Sequence, residues 1–278
     1  MWPIACVEEM IPGMNYKEKW AKAAKIGIKA IEMLGPRPGL VDIQENVETL
    51  KCLINQTGVS VSAISGSSRG CLLGTDKSER EVAMQDLRRL LEIAASLDAE
   101  GVIYGPTVGI IEGWSNSQRI PDLSPLQTRA ELEFKLLVLL LQEIGEFAED
   151  LGVKLILEPI NRFQAYWPNK VHETVEVCRA VGSDGVVMMV DTVHMNIEED
   201  SMKDAVQSAK GYIGYVHIAS NTRKLPRQGL IDFQSFFQAL FDIGYKGYVS
   251  LECFDTQNPM KELPVSLRYL RDIMSEIR

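Results

Sequence analysis

The sequence is short of positive charge, of histidine and of long apolar runs, and each shortage removes a class of function. Lys and Arg number 29 against 38 Asp and Glu, a formal net charge of −9. Nucleic-acid backbones are bound by neutralising phosphates with basic side chains, so this balance argues against such a partner. It argues against anionic membrane surfaces for the same reason. The longest purely aliphatic run, residues 136–141, falls far short of the roughly 20 apolar residues that a bilayer span needs. The first residues form one short apolar strand followed by Glu8 and Glu9, so no signal-peptide core is expected. No GxGxxG turn follows any candidate strand, which removes the dinucleotide fingerprint. The five cysteines are odd in number and show no CxxC spacing. They read as reduced thiols of a cytoplasmic protein, most of them small core residues.

What the chain does contain is one design repeated. Leu155, Ile156 and Leu157 form the apolar run expected of a strand buried on both faces of a parallel sheet. Glu158 closes that run and Pro159 follows, which has no amide proton to give a ladder. An ionised group delivered at the tip of a buried strand is costly unless something there needs the charge. Residues 186–190 run in the same way into Asp191, residues 213–216 into His217, and residues 248–251 into Glu252. One buried acid is chance; four successive strands ending in Glu, Asp, His and Glu are a site.

The length of 278 residues suits one large α/β barrel or two small domains. Earlier strands are expected over residues 3–7, 28–34, 59–64 and 101–104. Helices are expected over residues 15–27, where Asn15 and Glu18 resemble a capping box, and over 42–56, 78–97, 126–151, 169–181, 201–210 and 232–243, with a last one from 261. Strict alternation implies parallel strands with right-handed crossovers, and eight such units close into a barrel. The expected architecture is a single (β/α)8 TIM barrel over residues 1–278, its site at the C-terminal ends of strands 5–8. An open doubly wound sheet is the alternative. The loop over residues 107–125 carries Trp114, Asn116 and Arg119, and Trp114 suits either packing or a wall against a ligand.

Four segments carry a resemblance: Glu158-Pro-Ile-Asn-Arg-Phe; Asp191-Thr-Val-His194-Met-Asn-Ile-Glu-Glu; His217-Ile-Ala-Ser-Asn-Thr-Arg223 with the stretch to Phe233; and Val249-Ser-Leu-Glu252. They resemble the ketose 3-epimerases (the tagatose and psicose enzymes) of the xylose-isomerase-like barrel superfamily. The detailed match spans roughly residues 154–254. The resemblance implies that Glu158, Asp191, His217 and Glu252 hold one divalent metal ion. It implies that Glu158 and Glu252 double as an acid/base pair, and that His194 and Arg223 contact the sugar. Two positions depart from the family. Gln164 stands where a second glutamate is usual, and is carried over as a substrate contact. The Pro-Gly-x-Gly loop reads Pro226-Arg-Gln-Gly229.

The chemistry stands without the family. Three carboxylates and one imidazole suit Mn, Co, Mg or Zn, and no thiolate competes in the motif. Epimerising a ketose requires removing a poorly acidic proton beside a carbonyl and returning one to the other face. The expected substrate is a free ketohexose or ketopentose. Arg223, Lys224 and Arg227 keep a ketose phosphate as the minority reading. Other reactions on such a barrel, inosose dehydration or hydroxypyruvate isomerisation, remain alternatives, as does a non-catalytic sugar-binding barrel. An apurinic-site endonuclease would need a basic face and more histidine than His172, His194 and His217 supply. Singly, each residue has a plainer reading: Glu158 paired with Arg162, Asp191 capping a turn, His194 satisfied in the core, His172 on the surface. Residues 136–141 are aliphatic all round their helix, so a homodimer or homotetramer is expected.

Overall fold

Strands of three to six residues, nearly all buried along their length, alternate with helices whose ends the sequence marks clearly. The computed structural model describes residues 1–35, 43–66, 68–110, 119–254 and 256–277. Eight strands run in chain order: β1 (Ile4–Val7), β2 (Ala30–Leu34), β3 (Ser60–Ser65), β4 (Gly101–Tyr104), β5 (Lys154–Leu157), β6 (Val186–Asp191), β7 (Ile213–Ile218) and β8 (Val249–Leu251). Each pairs in parallel with the next, and β8 returns to β1 with Val249 beside Ile4, closing the barrel. Closure leaves no open sheet edge.

The helices are α1 (Tyr16–Ile26), α2 (Val47–Thr57), α3 (Lys77–Ser96), α4 (Arg129–Leu151), α5 (Val171–Val181), α6 (Thr192–Glu198), α7 (Met202–Ser208), α8 (Phe233–Asp242) and α9 (Pro259–Glu276). Asn15 caps α1 by accepting the Glu18 amide at 3.0 Å, and Glu18 accepts the Met14 amide in return. Thr128 and Glu131 make the same reciprocal cap on α4. Gly27 and Gly152 end these helices with φ of 82° and 71°, left-handed values that a side chain resists. The period-2 pattern of the strands divides the core. Ile156 joins Ala63, Ile103, Met189 and Tyr215 in one cluster, while Leu155 and Leu157 join the larger layer shared with the helices.

Two expectations are corrected here. The segment expected as one helix from residue 42 begins instead with a 3-10 turn, Ile43–Asn46, before α2; residue 42 lies outside the described residues. The stretch directly after β6 is a helix, α6, where none was expected. Seven residues are too few to show a 3.6-residue period, and its start is set by the Asp191 side chain. Trp114 and Asn116 lie outside the described residues. Arg119 pairs with buried Glu133 at 2.7 Å and lies over the Tyr166 ring. Of residues 136–141, Leu137 and Leu141 are buried and Leu139 is 64% exposed. Among the described residues, no helix is long and apolar enough to cross a membrane.

Candidate active site

Parallel register carries consecutive strand ends to one rim of the barrel, so sequence positions far apart meet there. Asp191 stands beside His217, and His217 beside Ser250, two residues before Glu252. Glu158 follows β5 directly, its amide bonded to the Tyr104 carbonyl at 3.1 Å. One ligand atom from each of Glu158, Asp191, His217 and Glu252 lies within 4.8 Å of all the others. His217 Nδ1 is at the centre, 3.2 Å from Glu252 Oε2, 3.6 Å from Asp191 Oδ2 and 3.8 Å from Glu158 Oε1.

The surrounding residues hold these groups in place. Asp191 divides its oxygens: Oδ1 accepts the Val193 and His194 amides at the start of α6, while Oδ2 faces the cluster. Arg223 donates through Nη1 to that Oδ2 at 2.6 Å and through Nη2 to Glu252. His194 Nε2 lies 3.5 Å from Glu158 Oε1. Asn161 Oδ1 accepts the Phe163 amide, so its Nδ2 is the donor to His194 Nδ1 at 2.7 Å. That bond leaves the histidine proton on Nε2, aimed at Glu158. Arg162 does not pair with Glu158; it makes a two-pronged bond to Glu198 on α6. Gln164 lies on the exposed turn after β5, outside the cluster, its carbonyl accepting the Gly109 amide at 2.8 Å. His172 is exposed.

One residue was missed by sequence reasoning. Glu32, the middle residue of β2, is fully buried, and its Oε2 accepts from His217 Nε2 at 2.8 Å. The signal was a single acid inside the apolar run Ala30-Ile-Glu-Met-Leu34, mid-strand rather than at its tip.

Burial and charge work against each other throughout the site. Burial pushes the Glu158 carboxyl up, but the bonds and charges of His194 and His217 outweigh it and hold it down at about 2. Burial also opposes ionisation of Asp191, yet Arg223 and the two imidazoles bring it well below the usual carboxylate range. For Glu252 burial wins over His217 and Arg223, and the carboxyl is raised. Burial lowers His217, but Glu32, Glu252 and the other carboxyls raise it well above the usual histidine value. His217 Nδ1 is buried with no hydrogen-bond partner. A buried ring nitrogen facing three carboxylate oxygens is an environment suited to a cation, whether a proton or a metal ion, and this donor set fits a borderline or hard divalent ion.

Several known proteins are similar to this chain in fold and sequence. The chain is 33% identical to a D-psicose 3-epimerase of Ruminiclostridium cellulolyticum over 245 residues, 86% of this chain and 78% of that one. It is 26% identical to a 3-dehydro-D-guloside 4-epimerase of Escherichia coli, over 92% of this chain and 94% of the relative. Among solved structures, a 3-keto-D-glucoside 4-epimerase from E. coli superposes with a TM-score of 0.85 at 25% identity, covering 98% of this chain and 100% of that one. A D-psicose 3-epimerase from Clostridium cellulolyticum, solved with D-tagatose, gives 0.83 at 26% identity, over 98% and 99%. The model of one family matches residues 20–273: this chain belongs to the xylose isomerase-like TIM barrel family.

Proposed function

We propose that the protein is a divalent-metal-dependent sugar epimerase that acts on the carbon beside a ketone, with a free ketohexose or ketopentose, epimerised at C3, as its substrate. The observation that carries this reading is the convergence of Glu158, Asp191, His217 Nδ1 and Glu252 within 4.8 Å of one another. These four would hold the ion, one of Mn, Co, Mg or Zn. When bound it would supply Lewis-acid polarisation of the substrate carbonyl, which makes the neighbouring C–H acidic.

The chain's own residues supply the proton transfers. Glu158 and Glu252 enter the rim from β5 and β8, so a sugar between them meets a carboxyl group on each face. One takes the proton, and the other returns a proton to the opposite face; inversion follows from that arrangement. Arg223, already turned toward Asp191 and Glu252, offsets negative charge on the enediolate oxygens. His194 presents its Nε2–H to a sugar hydroxyl, with Asn161 fixing the tautomer. The family resemblance alone extends a substrate contact to Gln164, on the exposed turn after β5.

A ketose phosphate is the weaker substrate class, because Arg223 is held by two carboxylates and Lys224 and Arg227 are exposed. A second reading is 4-epimerisation of a 3-keto-glycoside, after two relatives of that reaction type that match over more than nine-tenths of both chains. Its C4 proton also lies beside a ketone, so the same pair of glutamates serves. All five cysteines are unpaired, which suits a cytoplasmic setting, and a homodimer or homotetramer is the assembly we expect.

Incubation with D-psicose, L-ribulose, a 3-keto-glucoside and a ketose phosphate in deuterated water, with each of the four ions, separates these readings. Deuterium at C3 of a free ketose supports the first; deuterium at C4 of the glycoside supports the second. Exchange into none of them overturns both.

A further inference from the structure

Beneath the four converging groups, inside the barrel, lies a carboxyl group that takes no part in the reaction as described. Glu32 is 0% exposed, and three donors converge on one of its oxygens. His217 Nε2 lies 2.8 Å from Oε2, Ser250 Oγ 2.7 Å and Tyr215 Oη 3.2 Å. Tyr215 is itself held by Ser62 Oγ at 2.7 Å. The network gathers β2, β3, β7 and β8 around a single atom, while Oε1 of the same group is buried with no partner. A polar side chain in a barrel interior is expensive compared with an aliphatic one of similar volume. One of the three donors is His217, so Glu32 bonds the same imidazole whose other nitrogen faces the four-group cluster.

We propose that Glu32 is the positioning residue of the metal centre, acting through His217. This rests on the metal-dependent reading above. A carboxylate oxygen accepts, so the bond requires the His217 proton on Nε2 and leaves the Nδ1 lone pair for an ion. The bond also fixes the ring plane, which Tyr215 meets edge-on at 5.6 Å and 80°. With the proton on Nδ1 instead, the ring would donate to Glu252 or Asp191, and the fourth ligand would be lost. Outer partners of this kind orient a metal-bound imidazole and raise its basicity.

The test uses zinc ion and the full chain, first stripped of metal. Calorimetric titration of the wild type and Glu32→Gln measures affinity, and thermal unfolding of the stripped proteins measures the fold. We expect affinity to fall by about 10- to 100-fold in the variant, with the metal-free protein still folded and melting in one cooperative transition. A purely structural role would show the reverse, lowered melting with affinity kept. A second measurement needs no variant. With only three histidines in the chain, nitrogen-15 spectra of the zinc-loaded wild type resolve His217, which should carry its proton on Nε2. A proton on Nδ1, or equal zinc affinity in the two proteins, overturns the proposal. A wild type that binds no divalent ion removes the metal reading itself, a result distinct from either.

Discussion

Asp191 serves the fold and the site at once, because its two oxygens do different work. Oδ1 starts α6 by accepting two backbone amides, and Oδ2 completes the cluster. Reading it as a cap or as a ligand was therefore a false choice. Glu252 has no such divided role: it is bonded to Arg223 and faces His217 Nδ1. On the proposed mechanism, replacing Glu252 with Gln keeps an oxygen toward the ion but removes the proton acceptor. Turnover should fall by about 10²- to 10⁴-fold, while circular dichroism and one-to-one metal binding survive. Near-wild-type turnover in this variant would take Glu252 out of the acid/base pair. The four rim groups were legible in the sequence because each stops an apolar run, so charge marks a strand end. Glu32 was not legible in that way. It sits mid-strand, and its partner His217 is 185 positions away, a distance that no local pattern spans.

At the scale of elements, strands and long helices were readable from period and caps, and short connections were not. The capping signal at Asn15 and the glycines after α1 and α4 are local and mark the helix ends, whereas α4 was expected from residue 126 and its cap at Thr128 was overlooked. The turn after β5 is different. It is held by Glu198 on α6, which accepts both the Arg162 amide at 2.8 Å and its guanidinium. That clamp fixes the turn beside Asn161, the residue that orients His194. The Glu198 side chain is 3% exposed and that of Arg162 is 59% exposed, so the pair is half screened. Glu198→Ala should cost about 1–2 kcal/mol for a charge-assisted pair discounted for solvent. Burial pushes the Glu198 carboxyl up, but the Arg162 bonds outweigh it and hold it below the usual range. A depressed folded value stabilises above the unfolded carboxyl pKa of about 4.3 and is lost as pH falls through the folded one. The gap in melting temperature between wild type and variant should accordingly be constant near neutrality and close below about pH 4. A gap independent of pH across that range would assign it to packing.

For the whole molecule, two properties remain to be measured. The first is assembly. The barrel and its neighbouring helices absorb most of residues 136–141, and Leu139 is left 64% exposed on α4. Light scattering at micromolar concentration should give a dimer or tetramer; a strict monomer would leave that ridge to solvent. The second is the coupling of metal, proton and stability. In the stripped protein, burial lowers the His217 pKa while Glu32 and Glu252, ahead of the other carboxyls, raise it well above 6.5. A raised folded value gives stability that is fully present below the unfolded pKa and is lost as pH rises through the folded one. The metal-free protein should therefore melt at progressively lower temperature on the alkaline side of neutrality. An ion held as proposed at the four groups would take the place of the proton on His217 Nδ1, so its binding should strengthen as that proton is given up. At 100 to 1,000 times its Kd, the ion contributes about 2.7–4.1 kcal/mol, a rise of roughly 5–15 °C for a chain of this size. Melting curves in chelator and in excess ion, taken from pH 6 to pH 9 at fixed ionic strength, read this directly. The metal-induced rise should grow with pH. A rise that stays flat or shrinks would mean that the ion sits where it displaces no proton, and Nδ1 of His217 would lose its place among the ligands.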